Sequence, residues 1–141
     1  MANADNEAIA RRGFAAFGTG DTSDASEYIA EGSVAHDPAQ PEESGGPDGF
    51  AQTVQMYRGM FPDLQLNVEE QFSDGDYVCT RWSSSGTHES GKHVSVTGIS
   101  IDKIQDGKVV EAWNQWDNAG MMQQLGIGAE AGAAAGGGRF S

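Results

Sequence analysis

A single cysteine, Cys79, is present in 141 residues, so no internal disulfide can brace the chain. It falls inside a strand-like run, where a small buried hydrophobe is the ordinary reading of an unpaired thiol. Basic residues are also scarce: 8 Lys and Arg stand against 21 Asp and Glu, a net charge of −13. Such a surface repels phosphate backbones and anionic lipid, which argues against nucleic-acid and membrane partners. The acids are dispersed, with no like-charge run that would make an interaction tail. No segment is apolar for long enough to span a bilayer, and MANADNEAIARRGF lacks an apolar stretch of signal-peptide length. A cytoplasmic, reducing compartment is the expectation. HExxH, CxxC, P-loop and Ser-His-Asp patterns are missing as well, so metal, phosphoryl-transfer and nucleophilic chemistries have no support.

What is present is a change of period along the chain. Asp5 to Phe17 places Ile9, Ala10, Gly13, Phe14, Ala16 and Phe17 in one half of a helical wheel, stopped by Gly18 and Gly20. A shorter helix is expected over Ala25 to Ala30, then an extended segment into Pro38, then a loop, PAQPEESGGPDG. A third helix begins near Asp48, with Phe50, Val54, Tyr57 and Phe61 in one stripe and Thr53, Met56 and Met60 in the next. Pro62 ends it. From Leu66 the period drops to two, with Leu66, Val68, Glu70 and Phe72 alternating, then strands from Tyr77, Val94 and Lys108. Gln105-Asp106-Gly107 is a hairpin signal. Helices followed by a strand meander predict an α+β domain: a barrel-like, curved antiparallel sheet around three N-terminal helices, closed by a short C-terminal helix. Residues 1–126 form this domain. Residues 127–141 are rich in Gly and Ala and read as a flexible tail. Gly126, Gly128 and Ala131 match a dinucleotide fingerprint in spacing, but no strand precedes them.

Asp117, at the end of the last strand, has two readings: N-cap of the helix that holds Met121 to Leu125, or a carboxyl in an aromatic-walled cavity with a raised pKa. Trp113, Gln115 and Asp117 share a strand parity, which would put them on one cavity face if that face points inward. Trp82, Trp113 and Trp116 are either core or ligand-stacking indoles. His36 is a loop-bonded histidine or a group at the cavity mouth. Among His36, His88 and His93 no pairing has a metal-site spacing. Arg81 is a cross-strand partner for Glu69 or Glu70, or a contact to a polar ligand group.

The runs GGPDGF, FPDLQ, DGDYVCTRWSSSGTH and DGKVVEAWNQWD, with QLG beyond, closely resemble the SnoaL-like polyketide cyclases of the nuclear-transport-factor-2-like superfamily, over roughly residues 5 to 126. The resemblance implies a cone-shaped fold, usually a homodimer, that closes a polyketide ring by an intramolecular aldol reaction without metal or cofactor. Asp117 matches the acid/base aspartate, His36 the histidine after the second helix, and His88 the histidine of GTH. Unlike such cyclases, ISIDKI carries no histidine on the strand before the final hairpin. The expected function is therefore cyclisation or isomerisation of a hydrophobic polyketide-type molecule, with Asp117 and His36 catalytic. Tyr57, Met60, Phe61, Arg81, Trp82, His88, Trp113 and Trp116 would bind the substrate. The alternatives are a non-catalytic binding protein on the same scaffold, or epoxide hydrolysis with Asp102, Arg81 and Asp117 in concert.

Overall fold

In the computed structural model, which describes residues 1–126, the first helix, α1 (Ala4–Thr19), starts at Asn3. The Asn3 side chain accepts the Asn6 backbone N–H at 3.1 Å, and Asp5 and Glu7 in the first turn complement the helix dipole. Gly20, at φ 78°, closes the other end. Where a second helix is expected over 25–30, a single 3-10 turn spans Ala25–Glu27, and strand β1 (Ile29–Asp37) takes the remainder. Tyr28 sits between the two, fully buried, with its ring edge against Phe50.

The loop expected over 38–49 holds more structure than its composition suggests. Strand β2 (Gln40–Ser44) pairs back on β1, and helix α2 (Gly46–Met60) begins two residues ahead of Asp48. Pro47 lies in the first helical turn, where its missing N–H costs nothing. Gly45 is required for a different reason: a Cβ there would collide with the Ser33 carbonyl. Arg58 ties the two helices together, donating from Nη1 to the Phe17 and Gly18 carbonyls at 3.0 and 2.9 Å.

The strands β3 (Gln65–Asp74), β4 (Tyr77–Thr87), β5 (His93–Gln105) and β6 (Lys108–Trp116) follow as a meander, and α3 (Asn118–Gln124) completes the described chain. The β5–β6 turn has both central residues, Asp106 and Gly107, at positive φ, as a two-residue hairpin needs. The sheet order is β2-β1-β6-β5-β4-β3. All neighbours are antiparallel except β1 and β6, which run parallel, so the α+β sheet is mixed rather than wholly antiparallel. Its edges, β2 and β3, do not meet, and it is not closed into a barrel. Bulges interrupt β1, β3 and the β5–β6 ladder. The one between Val68 and Glu70 reverses the parity of β3, so Phe72 turns outward and is 66% exposed.

The concave face of the sheet carries α1 and α2. Two apolar clusters fill the space between the layers. One joins Ala10, Ala25, Tyr28, Ile29, Val78, Ile104 and Val109; the other joins Phe61, Leu64, Val94, Met121 and Leu125. Among the described residues no helix is long and apolar enough to cross a membrane. The tail expected over 127–141 lies outside the described residues.

Candidate active site

A cavity of about 190 Å³ lies between the two clusters, under α1 and α2 and over the concave sheet face. Strand alternation decides what lines it. On β5 the inward residues include Gly98, Ser100 and Asp102, while Ile99 and Ile101 point out. On β6 Ala112, Asn114 and Trp116 line the cavity, and Trp113 and Gln115 face away. Phe17, Phe50, Tyr57, Phe61, Trp82 and Trp116 supply aromatic walls.

The polar groups are few and mostly paired. Trp116 Nε1 donates to Asp37 Oδ1 at 3.0 Å, and the Ala39 backbone N–H donates to the same oxygen at 2.8 Å. Trp82 Nε1 donates to Ser100 Oγ at 2.9 Å. Tyr57 Oη is buried without a hydrogen-bond partner. Burial first, and the Asp37 charge second, push the phenol up to about 12; Gln40 lies near enough to oppose the shift without forming a hydrogen bond of good geometry.

Asp102 is the exception. It is a cavity-lining carboxyl, 9% exposed, with no hydrogen bond or ion pair among the described residues. Loss of hydration pushes it up to about 7. The lining contains no Lys, Arg or His that could hold it ionised. Among the described residues, no three His, Cys, Asp or Glu side chains gather as a metal would require.

The expected site residues divide between the two faces of the sheet. Tyr57, Phe61, Trp82 and Trp116 line the cavity. Met60 packs against the second cluster, beside the cavity but outside its lining. Asp117 does not enter: it is exposed, and its Oδ1 accepts the Gly120 N–H at 2.9 Å as the N-cap of α3. The residues sharing its parity point outward, because the inward row of β6 is 112, 114 and 116. His36 lies on the outer face, bonded through Nε2 to Glu111 Oε2 at 2.8 Å and stacked on Trp113, which is likewise outside. Arg81 is exposed and paired with Glu70 at 2.8 Å, the cross-strand reading rather than the ligand contact. His88 bonds Ser90 Oγ at 2.9 Å and touches the Phe61 ring from the loop before β5, outside the cavity lining. Asp102, Arg81 and Asp117 do not converge, since Asp102 alone faces inward, so the epoxide-hydrolysing arrangement is not assembled.

Ser100, Asn114 and Asp37 went unnoticed as site residues. For Ser100 the signal is an inverted alternation, Ile-Ser-Ile-Asp over 99–102, in which the polar partner of each pair faces inward; nothing comparable marks Asn114 or Asp37. With the carboxyl elsewhere, Asp117→Ala is expected to cost about 1 kcal/mol of stability through the lost cap. Turnover should stay within about twofold of wild type, and a urea melt with a rate assay checks both.

Helices laid over the concave face of a curved sheet, with an aromatic cavity ending at one buried carboxyl, define an α+β cone of the nuclear-transport-factor-2-like class. Within that class, the chain belongs to the SnoaL-like polyketide cyclase family, whose model matches residues 8–125. A candidate polyketide cyclase from Bacillus cereus shares 29% identity over 87% of this chain and 81% of its own, with a TM-score of 0.78. IdmH, a candidate polyketide cyclase from Streptomyces antibioticus, shares 28% identity over 86% of this chain and 99% of its own, with a TM-score of 0.74. TsrD from Streptomyces laurentii has the same fold at 24% identity, covering 90% of this chain and 98% of its own with a TM-score of 0.78. No curated protein matches the sequence.

Proposed function

We propose that the protein is a cofactor-independent cyclase or isomerase of a hydrophobic, carbonyl-bearing molecule of polyketide type, and that Asp102 rather than Asp117 moves the proton. The observation that carries this reading is the unpartnered Asp102 carboxyl, reachable from an apolar cavity and poised near neutrality. A carboxylate of that basicity takes a proton from the carbon between or beside carbonyl groups, and the C–H electron pair moves onto the carbonyl oxygen as an enolate. The enolate carbon then attacks a second carbonyl of the same chain. One C–C bond forms, the second carbonyl's π pair becomes an alkoxide, and the alkoxide recovers the proton from Asp102. No proton, electron or co-reactant is consumed. The Bacillus cereus protein and IdmH, both candidate polyketide cyclases, support the same direction.

The test uses an oxobutyl-substituted cyclohexanone, a diketone that closes to a bicyclic ketol. Wild type is expected to accelerate closure and Asp102→Asn to lose it. Wild-type acceleration retained in Asp102→Asn sinks the assignment. Binding without acceleration in the wild type favours a ligand carrier.

The proposed partner is a second copy, held over the outer sheet face. Phe72, Tyr77, Ile99, Ile101 and Trp113 are all exposed there, an apolar area that spans four strands. Nearby, Arg81 is paired with Glu70 and Lys103 lies over the Tyr77 ring, so positive groups border this patch on a chain of net −13. Light scattering is expected to give twice the chain mass for wild type and the monomer mass for Ile101→Lys. A monomeric wild type refutes the dimer.

A further inference from the structure

Asn114 lines the cavity, and the proton transfer proposed above makes no use of it. Its amide is oriented by a chain of bonds that admits one direction. An indole N–H can only donate, so Ser100 Oγ must accept from Trp82 at 2.9 Å. The Ser100 hydroxyl proton then goes to Asn114 Oδ1, 2.7 Å away. With Oδ1 fixed as the acceptor, Nδ2 donates to the His36 carbonyl at 3.1 Å. That bond uses one of the two Nδ2 hydrogens. The other has no partner among the described residues.

The strand register places Asn114 diagonally across from the carboxyl. Ser100 lies opposite Asn114 in the β5–β6 ladder and Asp102 lies opposite Ala112. Asp102 and Asn114 are therefore diagonal neighbours on the inward face, with backbones about 7–8 Å apart. A ketone lying in the cavity between them would have its oxygen on the amide and its α-carbon toward the carboxylate.

We infer that the second Nδ2–H of Asn114 receives the substrate's carbonyl oxygen, and that Ser100 and Trp82 are positioning residues that keep this donor aimed inward. The inference rests on Asp102 being the proton-transferring group. As Asp102 takes the α-proton, charge builds on the oxygen that the amide already faces. A donor fixed from both sides needs no reorganisation at that moment. The substrate class narrows accordingly: the acidified C–H must be α to a ketone-type carbonyl, not merely benzylic or allylic.

The test reads binding, not turnover. α-Tetralone and tetralin differ by the ketone oxygen and are compared by quenching of tryptophan fluorescence. Wild type is expected to prefer the ketone by about tenfold. The infrared carbonyl stretch of bound, carbon-13-labelled α-tetralone should lie below its value in hexane. Asn114→Leu is expected to abolish the preference and restore the hexane frequency. Should that variant fold poorly, Ser100→Ala leaves the amide in place but unfixed, and should weaken the preference severalfold and broaden the band. No ketone preference in the wild type, or a full wild-type shift in either variant, overturns the inference. Asp102→Asn is expected to keep the shift while losing turnover, so failure of the catalytic assignment and failure of this one give different results.

Discussion

Asp102→Asn is expected to abolish turnover and, near pH 8, to make the protein more stable. Both effects come from the same burial. Dehydration raises the folded-state carboxyl to about 7, against an ordinary value of about 3.9 in the unfolded chain. Below about pH 4 the group is protonated in both states and the fold carries no penalty. As pH rises the unfolded chain ionises first, so stability falls until about pH 7 and then levels off. The loss over that window is on the order of a few kcal/mol, and asparagine, which cannot ionise, escapes it. Activity runs the other way: a base must be ionised, so kcat/KM should climb with pH through about 7. Urea melts of both proteins near pH 5 and pH 8 check the first statement, and a pH–rate profile checks the second. A wild type whose stability gap to Asp102→Asn does not widen with pH would show that the carboxyl is solvated after all.

The second large effect is expected at Gly98. It pairs with Trp82 across β4–β5 and with Trp116 across β5–β6. A methyl group there would overlap the Trp82 ring and approach Trp116 Cβ to 2.7 Å. Retreat of either indole into the cavity would strain its hydrogen bond, Trp82 to Ser100 and Trp116 to Asp37. Gly98→Ala should therefore cost about 2 kcal/mol by overpacking, lowering Tm by roughly 5–10 °C. It should also weaken ligand binding, because both displaced rings are cavity walls. Calorimetry and α-tetralone titration measure the two losses. An unchanged Tm would mean that the indoles move freely.

Most of the architecture was legible because helix and strand periods differ so clearly before and after Pro62. The hairpin at Asp106-Gly107 was legible because only a few residue types tolerate positive φ. Strand β2 was not, since Pro and Gly around it are equally good signs of a loop. The site was half legible. Trp82, Trp116, Tyr57 and Phe61 were found as large aromatic side chains, whichever way the strands faced. Asp117 was misplaced because β6 carries an indole on each face, Trp113 outside and Trp116 inside, so alternation alone could not say which parity was inward. Taking Trp113 as a cavity wall carried Asp117 in with it. The polar side chains of β5 gave the better clue: isoleucines at 99 and 101 on the outer face leave Ser100 and Asp102 for the interior.

The parallel contact between β1 and β6 also sets the order in which the molecule can be made. β3 to β6 pair with near neighbours in the chain and can zip as successive hairpins. β1 has β2 along one edge from the start, but its parallel partner lies nearly eighty residues downstream, joined to it at pairs such as Val34 with Glu111 and His36 with Trp113. On the ribosome, α1, α2 and β1 are therefore synthesised long before the strand that anchors them exists. The cavity is consequently the last part to form. Until β6 emerges, the aromatic faces of α1 and α2 are surfaces for chaperones to guard, and a truncation that removes β6 should leave an aggregating chain rather than an emptied enzyme.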